Sequence, residues 1–355
     1  MAVDWAILGG FLCGALAGGA ARYGRLCTMS AIEDALIGGD YRGAKAWALA
    51  GAVAIGATQI LNASGLVDLS SAIYLGSRLH LLSVVLGGVL FGLGMTLVGT
   101  CSFGLIVRAG GGDLRAGVSA VLVGVFAYAA TSGALAAARL AIWESGVVAL
   151  PVSRPASLAT LVAAFAGPWG AAIAIAALCL GLAALPFLDP RLRKRPRLLA
   201  SAVAVGAAVT LGWAATGLAL EAMTLDRVES LSFVAPVGRA LLQLMIEPFR
   251  NIGFGVAALG GVAAASATIA LLRREFRWEA FDDPREMRRH VVGAALMGTG
   301  GVLAQGCTIG QGLSAASVLA VSAPLFLITV VIGARIGLWH LIEGQSLWRL
   351  GRRST

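Results

Sequence analysis

The chain has 355 residues, of which 58% are hydrophobic and only 13% charged, with 48 glycines and a formal net charge of +9. A soluble domain carries about 25% charged residues, so this composition excludes an ordinary soluble protein; apolar runs along the whole length exclude a soluble domain on one anchor. The positive balance does not point to nucleic acid, because Lys and Arg gather at the ends of the apolar runs, where they act as topology signals.

Nine apolar segments are predicted, near residues 5–22, 46–62, 80–100, 116–138, 158–187, 198–220, 250–272, 290–306 and 323–343. Each is near the roughly 20 residues that cross a bilayer. At this length in lipid only helices satisfy their own backbone. The expected class is therefore an all-α polytopic membrane protein of about nine transmembrane helices. No basic stretch precedes the first run, so no cleaved signal peptide is expected. Between segments lie two strongly basic stretches, RLRKRPR at 191–197 and RREFRWEAFDDPREMRR at 273–289. With the N-terminus outside, most of the 27 Lys and Arg fall on inner connections, including Arg22, Arg25, Arg108, Arg115 and the tail arginines Arg349, Arg352 and Arg353. Arg78, Arg139, Arg154, Arg227 and Arg239 fall outside, Arg250 lies at a boundary and Arg335 inside a segment. This bias predicts an outer N-terminus and a cytoplasmic C-terminus.

Residues 87–104 read GGVLFGLGMTLVGTCSFG and residues 293–310 read GAALMGTGGVLAQGCTIG. At a constant offset of 206, Gly87, Gly92, Gly94, Cys101 and Gly104 fall on Gly293, Gly298, Gly300, Cys307 and Gly310. Ser102 and Thr308 match as hydroxyls. On the predicted topology the two copies run in opposite directions, which is an inverted repeat, a transporter plan with substrate near the midplane. The expected organisation is one integral membrane domain, 1–355, with a first half at 1–140, a cytoplasmic basic linker at 188–197 and a second half at 198–345. The glycines allow close helix packing. They also allow broken or re-entrant short helices, whose N-termini favour anions.

Of five cysteines, Cys13 and Cys179 sit in bland apolar runs and read as small buried hydrophobes. Cys27, Cys101 and Cys307 each precede a hydroxyl, in GRLCTMS, GTCSFG and QGCTIG. No pair has CxxC spacing. Three thiolates could hold a soft metal, but no Met or His cluster accompanies them, and His80, His290 and His340 lie at segment ends. A thiol is a weak donor and a weak acceptor, suited to a soft sulfur anion. The acids Glu33, Asp34, Asp113 and Glu221 are candidate proton-relay groups, with an interfacial charge as the plainer reading.

At these residues the chain resembles the YeeE/YedE family of sulfur-compound transporters, over nearly its whole length. The resemblance implies an hourglass-shaped inverted-repeat helical fold in the bacterial inner membrane. It implies uptake of thiosulfate or a related small sulfur anion, without enzymatic turnover or cofactor. Three cysteines would line the narrow path and pass the anion by transient, non-covalent thiol contacts. By motif position these are Cys27, Cys101 and Cys307, with Thr28, Ser102, Gly104, Thr308 and Gly310 beside them. It also implies a separate TusA-like sulfurtransferase as cytoplasmic partner. No cysteine of the second half matches Cys27. On this reading Arg78 or Arg239 helps draw the anion in. Alternatives are a membrane-embedded sulfur-relay protein that cleaves S–S bonds at Cys101 or Cys307, and a permease for selenium compounds or soft metals. No P-loop is present, so ATP does not drive the chain by that route.

Overall fold

The computed structural model describes residues 5–149, 156–221, 227–246 and 252–343. Arg154, Arg250 and the tail arginines lie outside these residues, as does the side chain of Glu221. In chain order the helices are α1 (Trp5–Gly24), α2 (Thr28–Leu36), α3 (Arg42–Ala63), α4 (Leu81–Val98), α5 (Ser102–Gly110), α6 (Leu114–Ser132), α7 (Ala136–Glu144), α8 (Leu158–Phe187), α9 (Pro190–Arg193) and α10 (Pro196–Glu221). They continue with α11 (Ala235–Met245), α12 (Phe254–Leu272), α13 (Pro284–Leu303), a π-helical turn (Gly310–Ser314) running into α14 (Ala315–Ser317), and α15 (Ser322–Glu343). The strands β1 (Arg78–His80) and β2 (Val147–Ala149) form one short antiparallel ribbon.

Among the described residues, eight helical runs are long and apolar enough to span a membrane. The predicted segment 290–306 corresponds to α13, which has the length of a span, 20 residues, but begins on the charged turn PREMRR. Its apolar part lies against α4 and α6. Predicted segment 116–138 divides: α6 stops at Ser132, with Gly133 as its C-cap, and α7 begins at Ala136. Side-chain caps fix the starts of α13 and α8. Asp283 accepts from the Arg285 amide ahead of α13, and Ser157 and Thr160 form a capping box on α8. Phe165, Trp169 and Leu180 of α8 are exposed, as expected of a helix that turns most of its surface to lipid.

The repeat is visible in how the helices pack. Ideal Cβ atoms at Gly87 and Gly94 of α4 would meet Gly300 and Gly293 of α13 respectively, so these helices run antiparallel through glycine-to-glycine contact. On α4, Gly88, Gly92 and Thr96 face Thr329, Val330 and Gly337 of α15 in rising order. On α13, Gly298, the counterpart of Gly92, faces Val123 of α6, and His290, about two turns earlier, bonds Ser119 of the same helix. The pairs α4–α15 and α13–α6 are thus equivalent and point opposite ways, which is the geometry of an inverted repeat.

Asp113, a candidate relay acid, has a structural role. It caps α6 through the Ala116 amide at 3.1 Å and pairs with Arg108 at 2.8 Å and Arg115 at 3.4 Å. Burial raises its pKa, but the capping amide and the two guanidinium groups outweigh burial, so the carboxyl sits below its ordinary value. We expect Asp113→Ala to lower stability by about 1–3 kcal/mol. Because the folded pKa is depressed, the contribution is complete above the unfolded value near about 4 and is lost as pH falls through the folded one. Thermal unfolding in detergent from neutral to acid pH checks this: the gap between wild type and variant should close at low pH. Glu33 and Asp34 are exposed on α2.

Candidate functional site

The three motif cysteines stand at helix breaks of the same construction. In each, a residue with left-handed backbone lies two positions before the cysteine: Arg25 (φ 55) before Cys27, Gly99 (φ 81) before Cys101, and Gln305 (φ 62) before Cys307. Two are not glycine, so the breaks hold strain of about 1–2 kcal/mol per residue, a feature that collects at functional positions. The Leu26 amide bonds back to Ala21 and the Gly306 amide to Gly301, closing both helix ends as a Schellman turn does. After the first two breaks a new short helix starts. Cys27 and Cys101 are the N-caps of α2 and α5, and neither helix has a side-chain cap. First-turn N–H groups at these ends are therefore directed at the cysteines, an arrangement that favours negative charge.

The breaks come together in space. Cys27 Sγ lies 3.8 Å from Thr100 Oγ1, and Cys101 Sγ lies 3.9 Å from Thr28 Oγ1, so the first two breaks exchange reciprocal thiol–hydroxyl contacts. Cys101 in turn lies beside the Thr308 side chain and within electrostatic reach of both Cys27 and Cys307. The Gly310 amide donates to Cys307 Sγ at 3.4 Å, and the equivalent Gly104 amide faces Cys101. Side chains are excluded at both glycines: a Cβ on Gly104 would fall 2.0 Å from Thr100 Oγ1, and one on Gly310 2.6 Å from Ser232 Oγ.

Burial orders the thiols. Cys27 is half-buried, whereas Cys101 is 1% and Cys307 0% exposed. Cys27 and Thr100 line a cavity of about 600 Å³ together with Arg22, Arg25, Arg108, Arg274 and Arg277. A neighbouring cavity of about 870 Å³ adds Arg42, Lys194, Arg195 and Arg197. Beyond Cys307 is Tyr74, buried and within electrostatic reach of that thiol. Burial raises the Tyr74 phenol well above its usual value, so it remains protonated. Tyr74 also lines a third cavity of about 420 Å³ with Arg78, His80, Gln305 and Ser322. Cys27 thus adjoins the basic cavity, Cys101 and Cys307 are buried, and Tyr74 lines a separate cavity. Ser102 and Thr308, mates in the repeat, are 2% and 3% exposed, and neither hydroxyl has a partner at full hydrogen-bond geometry. A buried orphan hydroxyl costs about 1–3 kcal/mol, and Ser102 directly follows Cys101 as Thr308 directly follows Cys307.

Over residues 23–336 the chain matches the family described as Sulphur transport. The chain belongs to that family. It is also similar to two proteins named Thiosulfate transporter TsuA. The one from Escherichia coli (strain K12) is 27% identical over 354 residues, 94% of each chain. The one from Spirochaeta thermophila is 29% identical over 351 residues, covering 94% of this chain and 98% of the relative.

Within this sulphur-transport family member, all eight residues singled out in the sequence are at or next to the breaks: Cys27, Thr28, Cys101, Ser102, Gly104, Cys307, Thr308 and Gly310. Cys13 is buried within α1, and Cys179 packs 3.7 Å from the position a Cβ would take on Gly56, both apart from the thiol row. Arg78 lines the Tyr74 cavity. Arg239 opposes the burial that raises the pKa of Glu229. Sequence reasoning missed Thr100, Tyr74 and Phe233. The 206 offset places Phe233 opposite Cys27, and there its ring packs 5.0 Å from that of Phe103. The offset alone could have pointed to Phe233; nothing local marks Tyr74.

Proposed function

We propose that the chain takes up thiosulfate, or a closely related sulfur anion, along the row Cys307, Cys101 and Cys27. What carries this reading is that row itself: three thiols in succession between two cavities, accompanied by two orphan hydroxyls and uncapped helix N-termini. The relatives' names supply the substrate. Thiols give weak, polarizable contacts to the terminal sulfur, while amides and hydroxyls give donors to the oxygens. Several weak sites in series permit both entry and exit. The neighbours of Cys101 are hydroxyls and other thiols, with no base at hand, which suits passage better than covalent sulfur transfer.

The arginine-lined cavity at Cys27 is assigned to the cytoplasm and the Tyr74 mouth to the outside, with the N-terminus outside and the C-terminus within, in a bacterial inner membrane. The halves 1–140 and 198–345 form the repeat around the linker 188–197. A basic inner cavity also suits delivery to a TusA-like sulfurtransferase. In reconstituted liposomes, labelled thiosulfate should accumulate in preference to sulfate, and Cys307→Ala should lower the rate by about tenfold or more, the effect of losing one hydrogen bond to an anion. Wild-type uptake that fails to discriminate thiosulfate from sulfate overturns the substrate assignment.

A further inference from the structure

The segment after Cys307 departs from its mate. Where the first repeat continues as the regular α5, the second forms a π-helical turn over Gly310–Ser314, a distortion found mostly at functional sites. Its second residue is Gln311, at the position held by Leu105 in the first repeat. Gln311 is 0% exposed, and its amide N–H bonds the Cys307 carbonyl at 2.7 Å, placing it one turn from the thiol.

Four polar side chains follow Cys307 in this segment. Ser314 donates to the Leu231 carbonyl, and Ser317 donates to Ser314 O while accepting from Trp213 Nε1. These two fasten the turn to its surroundings. Of the other two, Thr308 Oγ1 lies beside the Cys101 thiol, and Gln311 Oε1 is buried without a partner. Gln311 Nε2 meets Ser322 Oγ at 2.8 Å, and Ser322 lies on the wall of the Tyr74 cavity. The carboxamide therefore bridges the wall of that mouth and the turn that holds Cys307.

We propose that Gln311, oriented by Ser322, is a selectivity residue that binds the oxyanion end of the substrate on the Tyr74 side of Cys307, while the thiol takes the sulfur end. The inference rests on the thiosulfate reading. A half-turn of the amide exchanges its oxygen and nitrogen. In that second orientation the Ser322 hydroxyl donates to Oε1, and the two N–H bonds of Nε2 are free to donate to an anion. A buried amide with one satisfied end can thus answer an arriving oxyanion without moving the backbone. Leu105 in the first repeat offers no such donor, so the subsite belongs to one mouth alone and gives the symmetric frame a direction.

The test compares wild type, Q311M and Q311E in liposomes, with labelled thiosulfate over a range of concentrations and thermal unfolding in detergent alongside. Q311M keeps the volume and removes both polar atoms. It should raise KM by about tenfold, the effect of one hydrogen bond to an anion, at little change in maximal rate. Q311E places a like charge on the subsite; its uptake should be lower still and should recover as the external pH is brought down, in excess of any drift in wild type, which shares Tyr74 and Glu229. Q311M and Q311E that match wild type in KM and pH profile overturn the proposal while leaving the thiosulfate reading in place. Wild type without thiosulfate uptake overturns that reading and this inference with it. If Q311M does not fold, Ser322→Ala carries the comparison, and an unchanged KM in it overturns the proposal.

Discussion

Thiosulfate uptake by the Cys101→Ala variant falls between about tenfold and a hundredfold, with the fold retained. The size follows from one hydrogen bond to a charged guest, about 1.5–3 kcal/mol, converted to a rate at 1.4 kcal/mol per decade. Cys101 is the position where the loss should be greatest. It contacts Thr28 of the first break, lies beside Thr308 of the third, and is within reach of both other thiols. It is also buried, so water cannot stand in for the missing donor. Cys101→Ser keeps a hydroxyl donor of smaller size and should fall between alanine and wild type. Labelled uptake beside thermal unfolding separates transport from folding. Wild-type rates in Cys101→Ala would show that the thiol row is structural.

The second large effect concerns the frame. Gly94→Leu and Gly300→Leu should each cost about 3 kcal/mol or more, at the upper end of overpacking, read as a lowered unfolding temperature in detergent. A Cβ on Gly94 would lie 2.5 Å from the Gly293 oxygen and 2.7 Å from the Met297 amide. One on Gly300 would lie 2.7 Å from both the Gly87 oxygen and the Phe91 amide. These neighbours are backbone, which cannot rotate aside, so α4 and α13 must separate. Their separation also pulls the second and third breaks apart. Gly51→Leu and Gly181→Leu are the controls, since nothing lies within 4 Å of a Cβ at either. Equal unfolding temperatures in all four variants would show that the α4–α13 contact does not hold the halves together.

Much of this protein could be read from its sequence because the decisive patterns are local. Apolar length marks spans, and segment 158–187 has the outer bounds of α8, although the backbone breaks within it at Gly167 (φ 73), just before Pro168. The GxG-x6-C-[ST]-x-G spacing marks both breaks of the repeat, because a helix that ends on a left-handed residue needs a specific local run. The same logic misplaced one boundary: in 116–138 the apolar composition continues past Gly133, yet the backbone turns there. Segment 290–306 was likewise read from its apolar part alone, while the helix begins at Pro284 behind the Asp283 cap, where charge hides the continuity.

The sequence by itself determined that the chain crosses a membrane repeatedly, and it marked the repeated motif with its cysteines, hydroxyls and glycines. Each of these depends on residues near one another along the chain. Only the tertiary structure decided the pairing of Cys27 with Thr100 and of Cys101 with Thr28, the burial of Cys101 and Cys307, and the positions of Tyr74, Phe233 and Gln311. Those relations join residues that are 73 or more apart in sequence, or contrast one half with the other. They arise when antiparallel helices close over glycine and bring three breaks to one place, a result of packing that no single stretch of sequence contains.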